Sequence, residues 1–264
     1  MRISDVIDAL DELAPLSLAE DWDNVGLLVG RPSAAVSAVM TCLTLTSDVL
    51  AEAIAGDAQL IVSHHPLMFR PIQRITSETI EGRILLEVIQ NEIAVYSPHT
   101  GYDSAAAGIN QQLATSLALS QVQPLRPAVG SEQGDNGGAG RHGVLPAEMT
   151  LVEFNQRVQS CLNIRQSRFV GTPDQRVRRV AVACGAAAEF LVDADRLQCD
   201  VLLTGEARFH DCLQARSLGI GLVLPGHFAT EHPAMTYLSD CLHERFENLR
   251  VWASQQECDP LHWS

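Results

Sequence analysis

Two adjacent histidines, His64 and His65, interrupt the stretch "IVSHHPLMF" (61–69). Neighbouring side chains in a regular strand point to opposite faces. The pair therefore belongs just beyond a strand that Ser63 closes, on the bend that Pro66 imposes. A second pattern, His followed four residues later by a carboxylate, occurs at His99–Asp103, His227–Glu231 and His243–Glu247. Spacing alone is weak evidence. The third example reads as a solvated i,i+4 pair in a helix, whereas the first two follow the apolar runs "IAVYS" (93–97) and "GLVLP" (221–225). Six side chains thus collect at strand ends: His64, His65, His99, Asp103, His227 and Glu231. Imidazole with carboxylate suits zinc, iron(II) or manganese, while magnesium and calcium take oxygen donors. Six candidates exceed the three or four that one catalytic zinc needs and suit two neighbouring cations. Blander roles exist: a lone strand-end His is more often a surface or hydrogen-bonding group, and Asp103 could N-cap a helix beginning at Ser104. Four histidines at equivalent positions favour the metal reading.

The elements that must position these residues alternate. Helices are predicted over 3–14 (starting after Ser4 as a possible N-cap), 47–56, 78–91 and 104–117, and strands over 25–30, 36–45, 58–63 and 93–97. The alternation resumes with helices over 150–161, 186–196, 208–217 and 229–247 and strands over 166–170, 178–184, 200–204 and 221–225. Short apolar strands alternating with helices imply βαβ units and a largely parallel sheet, and ligands bind at the carboxyl ends of such strands. Between the halves, "AVGSEQGDNGGAGRHG" (128–143) reads as a Gly-rich linker. The second half resembles a divergent copy of the first: "AVMTCL" parallels "VAVACG", "DAQLIVSHH" parallels "QCDVLLTGE", and "IAVYSPHTGYD" parallels "GLVLPGHFATE". The expected α/β fold is therefore two similar lobes from an internal duplication, 1–127 and 144–264, with the metal site in the cleft between them. Glu206 stands where the duplication would put the second histidine of the first lobe.

Composition restricts the function classes. The chain has 264 residues, 46% hydrophobic, and a net charge of −14. Such a charge repels nucleic-acid backbones, and "RVRRV" (176–180) reads as a solvated strand start. No apolar run approaches the ~20 residues of a membrane span, and the acidic amphipathic N-terminus does not read as an export signal. Seven cysteines without a C-x-x-C pair fit a reducing, cytoplasmic setting.

The stretches "DWDNVGLLVG" (21–30), "SHHPLMF" (63–69), "HTGYDSAAAGIN" (99–110), "TGEARFHD" (204–211) and "GHFATE" (226–231) together resemble the NIF-three-like family, known as GTP cyclohydrolase I type 2 homologues. The resemblance implies two divalent metal ions per subunit (zinc, iron or manganese), held by His64, His65, Asp103, His227 and Glu231, with His99 beside the metals. It also implies a toroidal homohexamer, a trimer of dimers, in a short form without an inserted domain. Two departures stand out: "HTGYD" where the family often has "HTNLD", and His210–Asp211 where it often has a His pair. The activity implied is a metal-dependent hydrolase of GTP cyclohydrolase type, with His99 or Glu206 moving protons. No Walker-type loop is present for a triphosphate; Arg70, Arg74 and Arg208 are the phosphate-contact candidates. The alternative is a non-enzymatic metal-binding scaffold or regulatory adaptor.

Overall fold

A computed structural model describes residues 1–128 and 137–262. In chain order its elements are α1 (Ile3–Leu13), β1 (Gly26–Val29), β2 (Ala38–Cys42), α2 (Ser47–Ala55), β3 (Leu60–Ser63), α3 (Ile80–Gln90), β4 (Ala94–Ser97), α4 (His99–Ser104), α5 (Ile109–Ser116), β5 (Ser120–Gln123), β6 (Arg126–Pro127), β7 (Gly138–Ala139) and β8 (Arg141–Thr150). They continue with α6 (Leu151–Cys161), β9 (Arg168–Val170), β10 (Arg176–Val182), α7 (Leu191–Arg196), β11 (Val201–Leu203), α8 (Phe209–Leu218), β12 (Gly221–Leu224), α9 (His227–Glu231), α10 (Pro233–Arg245) and β13 (Arg250–Ala253).

Two compact units emerge. One comprises Met1–Tyr102 with His232–Pro260, and the other is built on Asp103–Glu231. This division differs from 1–127 and 144–264. The C-terminal segment returns to the first unit because β13 pairs in parallel with β2, and α10 packs on both strands. The Gly-rich segment also differs from a simple inter-lobe linker. Residues 129–136 lie outside the described residues, but Arg141, His142 and Gly143 already belong to β8, which pairs antiparallel with β5 in one sheet.

The first unit holds a five-stranded sheet, β1-β4-β3-β2-β13, parallel except for β1. Strands β2, β3 and β4 are buried along their whole length, as parallel strands covered on both faces must be. Met40, Ile61, Val95, Val49, Leu50, Ile84 and Val88 share one core under α2 and α3. The second unit holds a six-stranded sheet, β5-β8-β10-β11-β12-β9, in which β10, β11 and β12 pair in parallel and the pairs β5–β8, β8–β10 and β12–β9 are antiparallel. Its core joins Ala181, Leu202 and Leu222 to Leu191 and Ala215. Each unit therefore has three consecutive parallel strands whose carboxyl ends lead into the candidate residues.

Two predicted helices are divided. The 104–117 helix is α4 and α5, broken at Gly108, and Asp103 lies inside α4 rather than capping a helix. The 229–247 helix is α9 and α10, because Pro233 takes the first turn of a new helix, where its missing N–H costs nothing. Since α10 ends at Arg245, Glu247 lies off the helix and the predicted His243–Glu247 helical pair is not formed.

Candidate metal centre

In the first unit, the chain leaves β3 at Ser63 with the backbone still tied to its neighbour: the His64 N–H donates to the Cys42 carbonyl (2.9 Å) and that of His65 to the Leu43 carbonyl (2.8 Å). The strand-end hydroxyls complete the mount, Ser97 Oγ donating to the His64 carbonyl (2.7 Å) and Ser63 Oγ to the His65 carbonyl (2.8 Å). All four backbone polar groups of the pair are thus hydrogen-bonded. His99 opens α4 after β4 with φ of 29°, a left-handed value that costs a non-glycine residue of order 1–3 kcal/mol. Such strain persists where the surroundings hold it, and here Asp23 does. His99 Nδ1 lies 2.8 Å from the Asp23 carboxylate, and the Thr100 N–H and hydroxyl donate to the same group. The Asp23 side chain is fully buried. Burial alone would raise its pKa, but the hydrogen bonds from His99 and Thr100 and the field of His99 outweigh it and bring it down to about 2.

These mounts bring three imidazoles together. Ring centroids of His64 and His65, and of His64 and His99, are 5.2 Å apart, with His65 and His99 at 5.7 Å. One ring nitrogen from each lies within 4.8 Å of the others, a spacing that a shared cation would bridge. His65 Nδ1 is 2.8 Å from Thr44 Oγ1. With Nδ1 partnered in this way, Nε2 is the His65 atom that could meet a cation, the outer-shell arrangement usual for ligating histidines.

The second unit gathers the carboxylates. His227 opens α9 after β12 and Gly226; its Nδ1 meets Glu206 at 2.8 Å and its Nε2 meets Glu231 at 2.9 Å. Burial opposes the imidazolium, but hydrogen bonds and attraction from Glu231 and then Glu206 prevail and raise its pKa to about 9. Glu231 is buried. Asp103, one helical turn after His99 in α4, has Oδ1 3.1 Å from Cys184 Sγ. Burial, then the charges of Asp103 and Glu231, hold that thiol protonated, so Cys184 is the donor. Two glycines make room. A Cβ on Gly185, whose φ is +63°, would come within 2.2 Å of Glu231 Oε1, and one on Gly205 within 2.7 Å of the Gly185 carbonyl. Behind α4, the fully buried Arg141 donates to the Ser104, Ala105, Gly138 and Gly140 carbonyls and to Gln111; burial lowers its pKa to about 10, which leaves it charged.

Of the seven predicted site residues, His64, His65, His99, Glu206 and His227 follow strand ends, while Asp103 lies within α4 and Glu231 closes α9; His64, His65 and His99 belong to one unit and the other four to the second. Sequence reasoning missed Asp23, Thr44 and Cys184, the groups that hold the imidazoles and a carboxylate. Asp23 had a signal, since it lies in the quoted "DWDNVGLLVG"; Thr44 and Cys184 had none.

Parallel strands lead into clustered imidazole and carboxylate groups, of which His64 and Glu231 are buried; such groups could hold a metal ion, and the donor set fits a divalent one. The chain belongs to the Duf34/NIF3 (NGG1p interacting factor 3) family, whose model matches residues 1–260. It is 34% identical to a GTP cyclohydrolase 1 type 2 homolog of Clostridium acetobutylicum, over 98% of each chain, and 31% identical to one from Clostridium perfringens, over 100% of each. Among solved structures it is similar to a Bacillus cereus protein related to NIF3, with TM-score 0.91 and 25% identity over 100% of this chain and 99% of that one. Among the described residues no helix is long and apolar enough to cross a membrane.

Proposed function

We propose that the protein binds two divalent cations through His64, His65, Asp103, His227 and Glu231, and is a metal-dependent hydrolase of a nucleotide or a related phosphorylated small molecule. The observation that carries the reading is the imidazole group of His64, His65 and His99, its donor nitrogens within 4.8 Å of one another. Asp103 joins it in sequence, one turn of α4 beyond His99. The relatives' name, GTP cyclohydrolase 1 type 2 homolog, supports a purine nucleotide as the substrate. Bound cations of this class supply Lewis acidity and a water acidified toward neutral pH.

The chain's own residues then divide the work. Asp23 fixes His99 by its Nδ1, so that Nε2 carries the exchangeable proton, the geometry of a general acid–base pair. Glu206 holds His227 by Nδ1 and is the alternative to His99 as the group that moves a proton. Cys184 steadies Asp103, and Gly185 leaves the space that Glu231 occupies. The similar runs of strand and helix in the two units support descent from an internal duplication, and the resemblance supports a toroidal homohexamer in the cytoplasm.

The test is metal-replete protein incubated with GTP, with formate and ring-opened product followed together. Appearance of both, lost in His99→Ala, is the expected result. Stoichiometric metal without product would exclude GTP and turn the reading toward the adaptor role that the words "interacting factor" in the family's description suggest.

A further inference from the structure

The loop 20–25 is anchored unusually. Polar groups do the pinning. Asp23 accepts from His99 and Thr100, the Glu20 N–H donates to Thr100 Oγ1 (3.0 Å), and Asn24 Nδ2 donates to the Met68 carbonyl (2.7 Å). The indole between them, Trp22, is 62% exposed. The Asn24 bond ties this loop to the segment that carries Phe69, itself 55% exposed. The two rings sit 5.8 Å apart, tilted by 56°, and each meets the edge of His99, at 6.3 and 6.1 Å. Two mostly exposed aromatic side chains thus stand on anchored backbone beside His99. With the two rings tilted by 56°, a planar π-system can stack on one exposed face and meet the other ring at an angle, contacts that suit another aromatic group.

We propose that Trp22 and Phe69 form a stacking platform for a fused planar heteroaromatic ring, of purine or pterin size, carried by the ligand of the His64–His65–His99 site. The inference rests on the metal-site reading and deepens it by naming the part of the ligand that is recognised. The position supports a small ligand over a protein surface: both rings touch His99, so whatever covers them lies against the group that would move the proton. Asp23 contributes to both tasks, orienting His99 through its carboxylate and Trp22 through the backbone.

The experiment is a binding titration of manganese-loaded protein with guanosine 5′-monophosphate, neopterin and ribose 5-phosphate, followed by calorimetry and by tryptophan emission, with metal content measured on the same samples. Wild type is expected to bind at least one of the two ring ligands with quenched emission. Trp22→Leu and Phe69→Leu should weaken that binding roughly five- to a hundredfold, the range for base–aromatic stacking, and leave ribose 5-phosphate unaffected. Trp22→Phe should restore most of the loss. Both side chains are mostly exposed, so the variants should fold; unchanged circular dichroism and metal content check this. Equal weakening of ribose 5-phosphate, unchanged ring binding in both leucine variants, or no ring binding by metal-loaded wild type overturns the platform. So does a change of oligomeric state in Trp22→Leu with ring binding intact, since a second copy would then be the occupant. Failure of the metal reading shows separately as absent metal, and the ring titration still decides the platform.

Discussion

Replacing Asp23 by Asn keeps the shape of the buried side chain and removes its charge. In the native protein the carboxyl is held at about 2 instead of its ordinary 3.8, which at about 1.4 kcal/mol per pH unit corresponds to about 2 kcal/mol of stability at neutral pH. The sign follows from the direction. A carboxylate whose pKa is depressed by folding contributes its full stabilisation above about pH 4, and loses it as pH falls through its folded value near 2. The wild type should therefore exceed Asp23→Asn by about 2 kcal/mol from pH 8 down to about 5, and the gap should close on further acidification. Urea denaturation across this range, in the presence of chelator so that metal linkage does not contribute, measures it. The functional arm is distinct. An amide can accept from His99 Nδ1–H or donate to an unprotonated Nδ1, so the tautomer is no longer fixed, and losses of 10- to 100-fold in metal affinity or activity are usual for such partners. A variant as stable as wild type at pH 7, or a gap still intact at pH 3, would refute the assignment of Asp23 as the charged partner of His99.

Gly185→Ala should fold, at a cost of about 1–2 kcal/mol for the left-handed backbone, yet lose metal affinity, because the new Cβ claims the space of Glu231 Oε1; isothermal titration with zinc checks it. Thr44→Val removes the hydroxyl beside His65 Nδ1 and should weaken metal binding 10- to 100-fold with little change in melting temperature. Arg141→Met strips the donors from five acceptors around the end of α4 and should destabilise by about 3 kcal/mol or more, read from denaturant midpoints.

The parallel strands were legible because burial on both faces demands unbroken apolar runs, as in "LIVS" and "GLVL". Strand β5 was not, since three of its four residues are exposed, and β8 carries Gly143 and Pro146, which ordinarily argue against a strand. It was hidden within and beyond a segment that reads as linker. The return of β13 to β2 depends on a pairing that no local pattern encodes. The ligand candidates could be read because the chemistry is concentrated in histidines at strand ends. Their partners could not: Asp23 meets His99 from 76 residues away, and Thr44 and Cys184 are ordinary residue types whose role arises only from where the fold puts them.

Metal binding by the proposed ligands His64, His65, Asp103, His227 and Glu231 underlies every functional prediction above. Elemental analysis of protein dialysed against limiting zinc, manganese and iron(II), for wild type and for His64→Ala combined with His65→Ala, tests it most directly. Two divalent cations per wild-type chain are expected, with loss of stoichiometric metal in the double variant while circular dichroism shows the fold preserved. Wild-type protein without bound metal, or a double variant that retains the full complement, would contradict it.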